Sequence, residues 1–354
     1  MALRSHQGYE AMALCARVGW VGASRMNTVA RARASASCTA PLSVVAALTV
    51  STLVTVAARA DEGGVSFWLP GQYGSFAAIA PTPGFSLPMV SYFTSGSVGG
   101  NHALDLGRTL DFGVDGNFLG EFVAPSYAPD TTIFGGRPNF SLTFLPAASS
   151  ASASVRLAPL SASKSQGVGG FGDLYPTAQL FWNSGVNNWM AYVTGDIPVG
   201  SYNADRLTNL GIGHGAVDFG GAYTFLNPNT GWEFSATAGL TFNFENPSTD
   251  YTNGIDAHLD WGAAKFLTQQ LFVGAVGYVY QQLTPDRGQP AALGSVESAT
   301  VGVGPQIGYN FDAHGVPIYA NLRGYFDLYA ENRLRGASVF LTLNFPLSAL
   351  AKAK

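Results

Sequence analysis

Residues 231–244, GWEFSATAGLTFNF, alternate in polarity without a break. If the stretch is extended, Trp232, Phe234, Ala236, Ala238, Leu240, Phe242 and Phe244 share one face. Glu233, Ser235, Thr237, Gly239, Thr241 and Asn243 share the other, because side chains alternate across a strand. Strict period two over such a length means a different medium on each side. A tilted strand crosses a bilayer in roughly 9–11 residues, so this one is long enough to span. The pattern predicts an all-β, transmembrane, antiparallel up-and-down β-barrel, with lipid outside and water inside.

The same period marks Phe85–Ser95, 104–118, Asn139–Leu145, Ser150–Leu157, Gly172–Trp182, Trp189–Val199 and His214–Phe225. It marks Gly254–Phe266, Leu271–Leu283, Ala299–Phe311, Ile318–Tyr329 and Gly336–Phe345 as well. Short turns are expected after Leu145, Trp182, Phe225, Phe266 and Phe311. Longer links are expected at 119–137, 158–171, 200–212, 245–252 and 284–296. Outer-membrane barrels alternate short periplasmic turns with long outer loops in this way. The segments number thirteen, whereas bacterial single-chain barrels have even counts, so 12–14 strands are expected. With the last strand descending to the periplasm, an odd count makes Phe85–Ser95 descend too. A further strand at Gly64–Leu69, a miscounted hairpin around Pro146 or an N-terminus threaded through the lumen would each resolve the parity. In 104–118, Leu104, Leu106, Leu110, Phe112, Val114 and Phe118 are expected to face lipid. Arg108 interrupts that face and is expected at the periplasmic rim, where its stem can snorkel.

Composition bears on the choice between a membrane barrel and a soluble one. Only 11% of the 354 residues are charged, well short of the roughly 25–35% typical of a soluble surface. The polar faces carry Gly, Ser, Thr and Asn rather than Lys. Aromatic residues gather near strand ends (Trp182, Trp189, Trp232, Phe244, Tyr309, Phe311), as interfacial girdles do. The net charge of −4 gives no footprint for nucleic acid.

The N-terminus has a secretory layout. Arg31 and Arg33 precede the apolar run 41–58, and Ala58-Arg59-Ala60 supplies a small-x-small cleavage site. Residues 1–60 are read as a signal peptide with an N-terminal extension, translation starting at Met26. Cleavage removes Cys15 and Cys38, which excludes a disulfide framework and cysteine-ligated metal from the mature chain. Residues 61–84 are a short strand or a lumen plug, 85–345 the barrel and 346–354 a tail.

Several blocks resemble the outer-membrane family named for the meta-pathway of phenol degradation. They are EGGVSFWLPGQYGS (62–75), GGFGDLYPTAQLFW (169–182), GDIPVGSYNADRLTNLGIGH (195–214), NPSTDYTNGIDAHLDWGAAK (246–265), GAVGYVYQQLTPDRG (274–288) and VGPQIGYNF (303–311). The match covers most of 61–345 and is poor across 120–168. The last strand, with Val339, Leu341, Leu343 and Phe345, resembles a barrel C-terminal signal, although nine residues follow Phe345. The resemblance implies an outer-membrane channel in a Gram-negative bacterium, encoded near genes for aromatic degradation and taking up hydrophobic compounds. It assigns no site residue.

Candidate site residues come from the lumen faces. Asp256, His258 and Asp260 fall at i, i+2 and i+4 on one strand face. Arg323 and Tyr325 belong to the penultimate strand, Tyr280 to another, and Arg156 to the weak hairpin. One expectation is a lumen network that holds the barrel's shape. The other is a substrate constriction, with Arg323 or His258 reading a carboxylate or phenolic oxygen and Tyr280 or Tyr325 stacking a ring. If 61–84 enters the lumen, Phe67, Trp68 and Tyr73 form an aromatic gate. The expected partners are outer-membrane lipid and a small hydrophobic or aromatic ligand, with no cofactor, metal or nucleic acid. Two rival readings are a closed structural barrel and a lipid hydrolase. The hydrolase would need its Ser/His pair on the lipid face, whereas His102, His214, His258 and His314 fall in turns or on lumen faces.

Overall fold

The structure, a computed structural model, describes residues 66–104, 108–288, 297–313 and 315–348, leaving out the side chains of 101–104 and 108–110. The expected signal peptide, the start at Met26, Gly64, His314 and the tail beyond Ser348 lie outside the described residues. So do the side chains of His102 and Arg108.

The described chain forms β1 (Gly84–Leu104), β2 (Arg108–Val123), β3 (Ser126–Ala128), β4 (Arg137–Thr143), β5 (Pro146–Leu157), β6 (Leu160–Phe171), β7 (Tyr175–Ser184) and β8 (Asn187–Asp196). There follow β9 (Ala216–Asn227), β10 (Trp232–Asn243), β11 (Asp256–Phe266), β12 (Leu271–Gln282), β13 (Ala299–Ala313), β14 (Val316–Glu331) and β15 (Arg335–Phe345). All neighbours are antiparallel, and the sheet closes where β15 pairs β1 from Leu87↔Phe345 to Ser97↔Arg335.

These fifteen elements make twelve wall strands. β2 and β3 lie in line along the same edge of β1. β5 and β4 run alongside that line, β5 on β2 and β4 on β3. β6 and β7 form the next line, paired to β5 and β4. The breaks fall at Ala124-Pro125, Phe144-Leu145 and Gly172–Leu174, and prolines at 125 and 146 remove ladder donors there.

Twelve falls within the expected range, and the even count corrects several readings. β1 ascends from the short-turn end rather than descending, so both ends of the barrel sequence lie at one rim. Ser66–Leu69 forms no strand. The hairpin around Pro146 does not exist, since β4 and β5 run the same way. The links at 119–137 and 158–171 are largely wall: β3, the end of β2 and all of β6 occupy them. Their Ser, Gly and Ala content hid the period, because such residues contrast weakly in polarity.

The outer surface is apolar. Phe93, Val193, Phe219, Phe234, Ile307, Leu322 and Leu341 are exposed, Phe234 to 45% and Leu322 to 46%. Phe85, Tyr127, Trp189, Trp232 and Tyr309 ring the short-turn end, and Phe244, Phe326 and Tyr329 the loop end. The inner surface is polar and buried: Asp218, Glu233, Ser235, Thr237, Thr241, Asp256 and Asp260 are all 2% exposed or less. A closed ladder with this inverted polarity is the only way a sheet can cross hydrocarbon. The chain is a transmembrane barrel of the outer-membrane type, with short turns toward the periplasm.

One part of the wall has the opposite polarity. β15 stops opposite Ser97, and β6 has no ladder partner but β5. The upper parts of β1, β2, β5 and β6 therefore stand beyond the rim as a four-stranded apron. There Asp111, Asp115, Asn117, Ser150, Ser154 and Arg156 are exposed, while Ala153 and Val155 are buried. Phe118 turns inward, its ring 5.9 Å from that of Tyr92. Over the described part, 111–118, the expected lipid face is thus reversed: Asp111, Asp115 and Asn117 face outward and Phe118 inward; the side chains of Leu104, Leu106 and Leu110 lie outside the described residues. Arg108 sits at the apron tip, opposite Leu104, not at the periplasmic rim. Arg156 likewise faces solvent and is not a lumen residue.

These assignments separate two substitutions to the same residue. Leu322→Arg, in the lipid belt, should lower unfolding stability in vesicles by about 2–4 kcal/mol. Ser154→Arg, in the apron, should stay within about 0.5 kcal/mol of wild type. Urea titration of vesicle-inserted protein measures both.

Candidate functional site

The lumen holds the chain's own residues 66–81. The segment runs from the loop end to the short-turn end and then turns into β1. The wall grips it mainly by its backbone, at three levels.

At the loop end, the Arg333 guanidinium donates to Ser66 Oγ at 3.1 Å and lies over the Tyr280 ring. Halfway down, Asp260 accepts from the amides of Gly71 (2.9 Å) and Tyr73 (3.1 Å), one to each carboxylate oxygen. From β14, three strands along the wall, Arg323 donates to the carbonyls of Gly71 and Gln72, both at 3.2 Å, and Tyr325 donates to Gly71 O at 3.1 Å. Charge-assisted bonds of this kind are the strong ones. Lower still, Glu233 accepts from the Phe76 amide (2.9 Å) and Thr224 from the Ala78 amide (3.0 Å). Arg137 reaches Pro81 O at 3.0 Å.

Two glycines make this fit possible. Gly71 adopts φ +82° and lies against Tyr325, where a Cβ would approach to 2.8 Å. On the wall, a Cβ on Gly262 would come within 2.5 Å of the Ser75 amide nitrogen. The wall therefore has a hollow where the segment passes.

Side chains of the segment fill what remains. Trp68 is 1% exposed and packs with Met190, Tyr192, Phe181 and Tyr280. Its ring stacks on His258 with centroids 3.4 Å apart and planes 12° apart. Tyr73 is near-parallel to Trp68 at 5.8 Å, and its hydroxyl accepts from Gln179 at 3.1 Å. Phe76 meets Phe272 edge-on at 5.0 Å. Phe67 is half-buried, 5.9 Å from the Tyr175 ring. A second aromatic group, Tyr92, Tyr278, Tyr325 and Phe340, lines the wall beside Leu69.

The expected site residues therefore separate. Asp256, His258 and Asp260 share a face but have different partners. Asp256 accepts from Asn243 at 2.9 Å, and Asp260 holds the segment. His258 Nε2 lies 2.9 Å from Asp218 Oδ2 and 3.3 Å from the Tyr192 hydroxyl. Thr241 donates to the same Asp218 oxygen at 2.6 Å. Arg323 and Tyr325 meet on Gly71, and Tyr280 lies under Arg333. His258 points inward with these partners, away from the lipid face a lipid hydrolase would use. Among the described residues, no group of three or more His, Cys, Asp or Glu is arranged to hold a metal.

Sequence reasoning passed over Thr224, Gln179, Gln306 and Tyr192 as partners of the segment or its neighbours. Their parity marked them as lumen-facing, but nothing in a strand's pattern reveals that a backbone amide from 146 residues away will arrive opposite.

Comparison with known proteins agrees with this architecture. An outer-membrane channel from Pseudomonas putida F1 aligns with 76% of this chain and 98% of its own, at a TM-score of 0.53 and 16% identity. A FadL homologue from Pseudomonas aeruginosa aligns with 82% of this chain and 98% of its own, at a TM-score of 0.42 and 10% identity. The first likeness establishes a shared fold. No curated protein matches the chain in sequence. A family model described as "Putative MetA-pathway of phenol degradation" matches residues 77–343, nearly the whole barrel. The chain belongs to that family.

Proposed function

We propose that the barrel is a channel for passive uptake of small hydrophobic or aromatic compounds across the outer membrane, with residues 66–81 as its stopper. The observation that carries this reading is the inner wall's composition. A bore for sugars or ions is lined by polar and charged groups throughout. Here two buried aromatic clusters interrupt the polar lining at mid-depth. Rings give a small apolar solute a surface to leave water for, worth about 25 cal/mol per Å² buried. A twelve-stranded barrel exceeds the eight-strand size that side chains alone can fill, so a path exists once the segment yields.

The filled lumen favours a second reading, a closed barrel whose internal segment is purely structural. Removal of the segment separates the two. In proteoliposomes, deleting Ser66–Phe76 should raise entry of 4-methylphenol well above that of a sugar control. No rise would leave the structural reading standing.

Single substitutions should act in the same direction but less strongly. Arg323→Ala and Asp260→Ala each remove hydrogen bonds to a charged group, worth about 1.5–3 kcal/mol. Each should raise basal conductance by about tenfold or more if opening is limited by release of 71–73, since about 1.4 kcal/mol is a factor of ten. Leu322→Ala, on the same strand but exposed on the outer, lipid-facing surface, serves as the control. Planar-bilayer recording reads all three.

A further inference from the structure

Two phenylalanines are held in the left-handed region, which bulky side chains seldom adopt: Phe76 at φ +66° and Phe134 at φ +50°. Phe76 has an evident reason. Its amide is gripped by Glu233, and its ring packs on Phe266 and Phe272 inside the bore. Phe134 has no such packing. It is 91% exposed, more than any other large apolar side chain among the described residues.

Phe134 stands at the tip of the hairpin between β3 and β4, at the periplasmic rim. Ile133 and Gly136 exchange two backbone hydrogen bonds of 2.8 Å, which leaves a two-residue loop, Phe134-Gly135. Both loop residues have positive φ, +50° and +74°. Such loops are ordinarily built from Asn-Gly or Asp-Gly. Around the same rim, Gly185, Gly231 and Gly315 take the left-handed positions of their turns. A strained residue persists only where its surroundings over-determine it, and here they do. Trp182 Nε1 donates to the Phe134 carbonyl at 3.1 Å. Its indole lies over Gly136, where a Cβ would come within 2.8 Å of it. The next residue, Arg137, holds Pro81 O from inside the bore. The turn is thus fixed from both sides of the wall, and what it displays is an uncovered ring.

Strand parity says where that ring stands. On β7, Gln179 and Phe181 face the bore, where they meet Tyr73 and Trp68. Leu180 and Trp182 therefore face lipid. An interfacial Trp ordinarily gives its N–H to water or headgroups. Trp182 gives it to the turn instead, so a residue of the lipid-facing row holds the tip. Ile133 is exposed beside Phe134, and Asp130, Thr131 and Thr132 are exposed on the arm that leads to them.

We propose that this tip is a lipid-insertion site. Phe134 and Ile133 enter the boundary between headgroups and acyl chains of the periplasmic leaflet, while Asp130, Thr131 and Thr132 stay among the headgroups. The proposal is independent of what the channel carries. The occupant follows from continuity with the lipid belt: Leu180 and Trp182 already touch acyl chains, and the apolar tip extends that contact. Lipid gives the left-handed ring the burial that the protein does not. A rigid apolar finger on the wall resists sliding of the barrel along the bilayer normal.

The test uses the mature barrel in vesicles of phosphatidylethanolamine and phosphatidylglycerol, with no other protein present. Phe134→Ala keeps a Cβ in the left-handed turn, so it removes the ring without relieving the backbone. In urea titrations it should lower the folded-to-unfolded ratio about fivefold or more, as loss of a buried aromatic side chain requires. Phe134→Trp should stay within about twofold of wild type. In a second measurement, Phe134→Cys and Asp130→Cys each carry a nitrobenzoxadiazole dye. The chain's own cysteines, Cys15 and Cys38, lie in the segment read as a signal peptide. Nitroxide on the acyl chains should quench the dye at 134 about threefold more strongly than the dye at 130. A ring standing in water, or reserved for a periplasmic protein, has no lipid contact to lose. Phe134→Ala as stable as wild type, or equal quenching at the two positions, overturns the proposal.

Discussion

Hydrocarbon offers no partner to a peptide N–H or C=O, and the rest of this structure follows from that. A sheet crossing it must have no edge. The pairing of β15 with β1 removes the last one, with eleven residues of β1 matched in unbroken register. Once closure is compulsory, period two divides the side chains into an outside that meets acyl chains and an inside that does not. The apron shows the rule by exception. Where the wall rises past the rim, water is available, β6 keeps an unpaired edge and the polarity reverses.

How much of this could be read in advance varied along the chain for physical reasons. From Trp189 onward each segment has bulky apolar residues on one face and Ser, Thr, Asp or Asn on the other. The contrast is large, and the strands fall within a few residues of expectation. Between Leu119 and Phe171 the contrast disappears. PAASSASASVRL alternates Ala with Ser, which differ little in size or hydrophobicity, and LSASKSQGVGGF has almost no apolar face. Prolines at 125 and 146 look like turn formers but here only interrupt a ladder that resumes in line. The parity argument in effect detected the error, since thirteen was not an allowed number; it could not say where the error lay.

The lumen was legible by half. Inward residues such as Asp218, Glu233, His258, Asp260 and Arg323 follow from alternation alone. Their partners do not. Asp260 serves two amides and Arg323 two carbonyls, and every residue carries those groups, so no motif marks them. The aromatic residues at 67, 68 and 73 stood out because a Gly- and Pro-rich stretch has little other reason to hold them. Even so, the placing of Phe67 by Tyr175 and of Trp68 and Tyr73 by Tyr192 depended on the path the backbone took.

That path has a mechanical consequence. The bore secures its insert through peptide groups at 71, 72, 73, 76, 78 and 81, with steric demands at Gly71 and the hollow beside Gly262. The side chains on that backbone do a second job and fill the bore, Trp68 against His258 and Phe76 against Phe272. Such a barrel behaves as a housing with a cartridge: the mount is made largely by groups that every residue carries, and the cartridge's own side chains supply the filling.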